Sequence, residues 1–454
     1  MSHLSLASLP LATAALLAAV GCADAIAAPD PSGVRLPPQS QRHFSCAVRV
    51  RHASDDLASP RWHQITRDLV TKYRTDPSAR PYALVSLAQY AAVVSAQDRS
   101  TGGCPSSRAA VAGASAAVLT YLYPAEAGTI AAALAAQQSA DAAPAAQRSA
   151  GVAALVENDP GVGLPKHDDA AALSAGEQIG REAAQLVIAY ARADGSSATW
   201  TGAVPAGPGY WFSSATPPAP VATPILAQTR PYFLTTNSQF RPAPPPGFGS
   251  PEFLAALAEV KSVTAARTPD QLAIAKEWSL SGGTYRLQGH WNLVGAGLAA
   301  AHGLREREAT HALALLGMAM HDASVACWDA KLAYWLIRPS QVDPTISVGI
   351  SLSNHPSYPS SHACTAGAAD AVLGALFGED AGTLTAMADE IALSRLYGGV
   401  HYRFDNDTGL AMGRAVGGLA IGRDIDLAIL GTATSSEPFI WDRSRTGPAA
   451  GTEP

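Results

Sequence analysis

Apolar residues recur at spacings of three and four through Arg80–Ala96, Ser107–Leu122, Ala127–Gln137 and Ala170–Ala193, one face of an α-helix each time. Polar or Gly-rich breaks such as Ser100-Thr101-Gly102-Gly103 and Asn158-Asp159-Pro160-Gly161 separate them. The pattern then stops. Residues 201–250 hold 11 of the chain's 33 prolines and predict an extended surface connector, because proline removes a helix donor and clashes with the preceding turn. Helical spacing resumes at Pro251–Ala265 and Pro269–Trp278, the latter opened by Thr268 and Pro269 as N-cap and first helical residue. A long helix is predicted over Glu306–Ile337, then Ser361–Phe377, Ala381–Tyr397 and Thr408–Ile429. Alternating strand patterns and internal repeats are missing. The expectation is an all-α protein: two stacked helical bundles, 28–200 and 251–432, joined by the Pro-rich connector 201–250 and followed by a tail, 433–454.

Composition agrees with close helix packing, since charged residues make up only 15% of the 454 positions and hydrophobic ones 48%. A net charge of −6 and the lack of any basic run exclude a nucleic-acid-binding field. At the N-terminus, Leu9–Gly21 reads as the apolar part of an export signal, with Ala25-Ile26-Ala27 as the cleavage site of a 1–27 signal peptide. Ala19-Val20-Gly21-Cys22 is a degenerate lipobox, which makes a lipid anchor at Cys22 the alternative. No later stretch is apolar enough to span a bilayer, so a secreted or periplasmic protein is expected. Cleavage after Ala27 leaves Cys46, Cys104, Cys327 and Cys364, which allow three disulfide pairings. If the segments around Cys327 and Cys364 meet, those two pair and Cys46 pairs with Cys104. Buried free thiols remain the other reading.

Three C-terminal stretches carry the chemistry: Lys331-Leu-Ala-Tyr-Trp-Leu-Ile-Arg338-Pro339, Pro359-Ser360-Ser361-His362, and Ser394-Arg395 through His401 to Asp405. Lys331 and Arg338 are seven residues apart, so on one continuous helix they leave the same face within about 20°. The residues between them are apolar, which favours two cations sharing an anion over a solvated basic edge. Ser360 and Ser361 open a predicted helix whose free N–H groups attract anions. Gly398-Gly399 lets the chain fold closely between Arg395 and His401, and Asp405 sits where a carboxylate can orient the imidazole. Three cations, a serine and two histidines suit a tetrahedral oxyanion. They do not suit zinc, for which no His-Glu-x-x-His occurs and which the cations repel.

In order and in internal spacing, the three blocks resemble the superfamily of type 2 phosphatidic acid phosphatases and vanadium-dependent haloperoxidases. The resemblance resides in about 326–413, and the long helical half before it is similar to the secreted, haloperoxidase-like branch. It implies that Lys331, Arg338 and Arg395 neutralise the oxygens of vanadate or phosphate, with Ser360 and the Ser361 N–H donating further bonds. It makes His401 the vanadium ligand, or the phosphatase nucleophile, oriented by Asp405, and His362 the acid–base residue. Trp328 matches an aromatic lining the halide pocket of chloroperoxidases, and His355 falls where bromoperoxidases have a second histidine, which hints at bromide. One departure is Ser361, usually glycine: its N–H remains, but a side chain there crowds bound peroxide. The implied activity is a vanadate-dependent haloperoxidase using halide and peroxide. The alternative is a secreted acid phosphatase cleaving a phosphate ester through a phosphohistidine, with no cofactor beyond the bound phosphate. A homodimer is expected from the Ala-rich, weakly charged helices.

Overall fold

Ala-rich helices with small residues at their contacts pack closely, and the computed structural model, which describes residues 57–98, 104–142 and 170–424, is built from them. The N-terminal half contributes α1 (Ala58–Tyr73), α2 (Ala79–Asp98), α3 (Ser107–Leu122), α4 (Ala127–Ala142) and α5 (Ala170–Arg192). The C-terminal half contributes α6 (Pro251–Ala265), α7 (Pro269–Glu277), α8 (Arg286–Ala301), α9 (Glu306–Tyr334), the single turn α10 (Pro339–Val342), α11 (Ser361–Leu376), α12 (Ala381–Tyr397) and α13 (Arg403–Arg423). Among the described residues no strand forms, so the protein is all-α. The signal peptide, the lipobox Cys22, Cys46 and the tail lie outside the described residues.

Local chemistry explains most boundaries. Thr268 accepts from the Gln271 N–H at 3.2 Å while Gln271 reaches back to the Thr268 N–H at 3.0 Å, a complete capping box for α7. Ser250 and Ser106 cap α6 and α3 through the hydroxyl alone, accepting the Phe253 and Ala109 N–H groups. Three expectations fail. The long helix ends at Tyr334, because Trp335 takes a left-handed conformation (φ 52°) and the chain continues extended to Arg338. Lys331 and Arg338 therefore do not share a helix. The last helix starts at Arg403, five residues early, because the Asp405 carboxylate closes its first turn on the Tyr402 N–H at 3.1 Å. Pro224–Gln228 forms one 3-10 turn inside the otherwise irregular connector.

The two halves stack through one continuous core. Val85, Leu87 and Val111 from the first half share it with Leu315, Leu316, Leu373 and Ile391 from the second. The central strut is α9. At its start the Glu306 carboxylate accepts the Ala58 and Ser59 N–H groups of α1, at 2.7 and 2.9 Å. Midway, the Asp322 carboxylate accepts three successive connector N–H groups, of Tyr232, Phe233 and Leu234. Near its end Lys331 enters the site. The connector is zipped along the chain that follows: Trp211 N–H donates to Trp335 at 2.7 Å and Ile337 N–H to Gly209 at 3.0 Å. Behind the site, α13 lies against α11 so closely that a Cβ on Gly413 would sit 2.1 Å from the Cys364 carbonyl oxygen.

Candidate active site

All three motif stretches converge. Lys331, in the last turn of α9, is fully buried, and its three ammonium N–H groups go to the carbonyls of Pro356 (2.8 Å), Ser357 (3.0 Å) and Pro359 (2.5 Å). The hydrogen bonds expected from Lys331 to an anion are thus made to the loop that carries Ser360, and its charge acts on the site from one layer behind. Arg338, the N-cap of α10, donates to the carbonyls of His355 (3.0 Å) and Val400 (2.7 Å), to His401 Nε2 (3.0 Å) and to His355 Nδ1 (3.1 Å). Arg395, on α12, gives one N–H to the Trp278 carbonyl at 3.2 Å, and its buried Nε meets no partner. Among the described residues none of these cations makes an ion pair.

Gly399 (φ 73°) turns the chain between Arg395 and His401. His401 Nδ1 donates to Asp405 at 2.8 Å, and the same carboxylate oxygen accepts the Ser357 hydroxyl at 2.5 Å. This fixes the tautomer and leaves the Nε2 lone pair facing Arg338. Only Asp405 of the pair is helical; His401 lies in the preceding loop, so their expected one-turn spacing spans a helix start. Ser360 is the N-cap of α11, yet its hydroxyl caps nothing and is buried without a partner. Ser361 is the first residue of that helix. His362, half-buried, donates Nε2–H to the Ser279 carbonyl at 3.2 Å, which leaves Nδ1 as its basic end. Trp328 and His355 stand side by side, ring centroids 5.2 Å apart, with the Lys331 ammonium 5.9 Å from the Trp328 ring.

Electrostatics follow from burial. Desolvation pushes Lys331 down to about 8, Arg395 to about 9 and Arg338 to about 10. It raises Asp405 to about 6, against the pull of Ser357, Lys331 and Arg338. Burial and then neighbouring cations hold His401, His362 and His355 well below the ordinary imidazole value, so all three are neutral bases. Three buried cations against one carboxylate leave the site two positive charges in excess.

That excess, with the unused Ser360 hydroxyl and Arg395 Nε–H, fits a tetrahedral oxyanion such as phosphate or vanadate. Residues 310–423 match the PAP2 superfamily. The matched segment contains all three motif stretches. Sequence reasoning missed Ser357, whose hydroxyl braces Asp405. Sequence reasoning also missed the carbonyls of Trp278, Ser279 and Val400 as partners of Arg395, His362 and Arg338, since a backbone group has no residue signature. Among solved structures, the fold is similar to a bacterial vanadium-dependent iodoperoxidase (20% identity, TM-score 0.67, covering 80% of this chain and 95% of that one). It is also similar to a bacterial vanadium-dependent chloroperoxidase in its apo form (16%, 0.57, 75% and 92%) and in its holo form (16%, 0.54, 83% and 93%). No curated protein matches the chain. No helix among the described residues is long and apolar enough to cross a membrane.

Proposed function

We propose that this protein is a vanadate-dependent haloperoxidase. One observation carries the reading: three buried cations without carboxylate partners surround a histidine whose Nε2 lone pair is held ready by Asp405. Arg395, Ser360 and the first N–H groups of α11 would hold the oxyanion's oxygens, with His401 Nε2 as the bond to vanadium. Arg338, which now donates to His401 Nε2, would turn that N–H to the anion. Vanadate, when bound, supplies activation of hydrogen peroxide toward halide. His362 Nδ1, neutral and anchored through Ser279, takes a proton from the incoming peroxide. Asp405 keeps the proton of His401 on Nδ1 throughout. Trp328 and the neutral His355 make a partly aromatic wall suited to a large, weakly hydrated halide, and bromide is the expected substrate.

A second reading, an acid phosphatase, is favoured by Ser361. Its side chain stands where the family has glycine and narrows the space for peroxide, while phosphate transfer to His401 needs no such room. The experiment is run on one preparation stripped of bound anion. One half receives orthovanadate, peroxide and bromide with a halogenation dye; the other receives a generic phosphomonoester. Vanadate-dependent bromination that His401→Ala abolishes supports the haloperoxidase. Phosphate release inhibited by vanadate, without bromination, replaces it with the phosphatase.

A further inference from the structure

Behind the cradle two thiols meet between α9 and α11. Cys327 and Cys364 were expected to be bridged if their segments met; the segments do meet, and the thiols are free and fully buried. Cys104, by contrast, is in a disulfide. The two thiols interact with each other, and the Cys327 S–H reaches the Pro359 carbonyl at 3.7 Å. That carbonyl also takes the Lys331 ammonium. Their remaining surroundings, Ala323, Ala326, Ala368, Met412 and Val416, are apolar, which is why two thiols sit here satisfied as small hydrophobes. The pair is asymmetric. Burial works to raise Cys327, but the Cys364 hydrogen bond and the Lys331 and Arg338 charges bring it below the ordinary thiol value. Burial and the same hydrogen bond hold Cys364 well above it. Two buried sulfurs thus lie together, one carbonyl away from the Lys331 ammonium.

We infer that Cys327 and Cys364 form an oxidisable dithiol that a single hydrogen peroxide converts into a disulfide. The inference rests on the proposed function in one respect: that reading brings peroxide to the neighbouring site. The Cys327 thiolate attacks one peroxide oxygen, the O–O bond breaks, and the departing hydroxide leaves as water with the proton released by Cys327. Cys364 then attacks the Cys327 sulfenic sulfur, hydroxide leaves and takes the Cys364 proton. Two thiols are oxidised and one peroxide is reduced to two waters. The product ties α9 to α11 behind Ser360 and removes the S–H donor from Pro359, leaving that carbonyl to Lys331. The dithiol is therefore a modification site coupled to the loop that shapes the cradle.

The test treats the purified full chain with hydrogen peroxide at concentrations that sustain turnover. The chain is then denatured, alkylated and mapped by peptide mass spectrometry, with bromination followed in the same tubes. The expected result is loss of both alkylation sites and a dithiothreitol-reversible crosslink between the Cys327 and Cys364 peptides. In Cys364→Ala the expected product is a dimedone-reactive sulfenic acid on Cys327, and in Cys327→Ala the Cys364 thiol stays fully alkylatable. Bromination with both wild-type thiols still fully alkylatable overturns the dithiol and leaves the haloperoxidase standing. Crosslinking without bromination supports the dithiol and removes the haloperoxidase. The wild-type map decides even if either variant fails to fold.

Discussion

Buried charges are handled differently along α2 and α3 and around His401. In the N-terminal half two arginines meet carboxylates within the chain, Arg80 with Asp194 at 2.6 Å and Arg108 with Asp141 at 2.8 Å, while buried Arg67 takes the side-chain oxygens of Asn292 and Gln64. Around His401 the three cations meet only carbonyl oxygens and two histidine nitrogens. A carbonyl is a dipole and leaves the net charge in place. The Arg80 and Arg108 pairs are neutralised at folding; the three cations around His401 are left in excess, and the fold carries their desolvation cost, as the proposed anion site requires.

Substitutions should separate the two classes. The largest effect is expected from His401→Ala, with turnover falling by at least about a thousandfold in either reaction while the melting temperature holds. Arg395→Met should lower anion affinity roughly a hundredfold, read by vanadate titration, and leave the melting temperature equal or higher because an unpaired buried charge is gone. Arg80→Met should do the reverse. It strands Asp194 and is expected to destabilise the fold by about 3–5 kcal/mol in denaturant melts while the remaining folded protein binds anion normally. Equal loss of stability in both variants would erase the distinction.

Smaller effects sharpen it. Asp405→Asn should reduce activity by about ten- to a hundredfold. Because burial raises Asp405 to about 6, wild-type activity should fall as pH drops through that value, and this acid limb should vanish in the variant. Lys331 is shifted the other way, from 10.5 down to about 8, so it is cationic below that pH. Its burial costs stability fully below about 8, and the cost fades as pH rises toward the unfolded value. Anion affinity should accordingly be flat below pH 8 and weaken above it, with proton uptake on binding in that range by calorimetry. Ser360→Ala should cost roughly tenfold in anion affinity with no change in melting temperature, since its hydroxyl bonds nothing in the chain.

Much of this was legible in the sequence. Helices such as Ser107–Leu122, Pro251–Ala265 and Ala381–Tyr397 match their periodicity to the residue, because capping and breaking residues flank them. The motif residues lie close together around His401. What the sequence hid was set by backbone groups and by single dihedrals. The left-handed turn at Trp335 has no compositional cue, so Lys331 and Arg338 read as one stripe. The small-residue helix Arg286–Ala301, interrupted by Gly289, Gly295 and Gly297, gave no clear amphipathic pattern and was missed. The engagement of Lys331 by three carbonyls depends on the path of residues 356–359, which no residue pattern encodes.

The 29 residues of α9 make it a gauge as well as a strut. It fixes Glu306, Asp322 and Lys331 to three separate partners by counting residues along one axis, each step turning the helix by about 100°. One residue inserted between Asp322 and Lys331 would leave every motif intact, yet would swing the ammonium about a quarter-turn away from the loop it supports. The phase of this helix, as much as the residues on it, is what evolution must conserve.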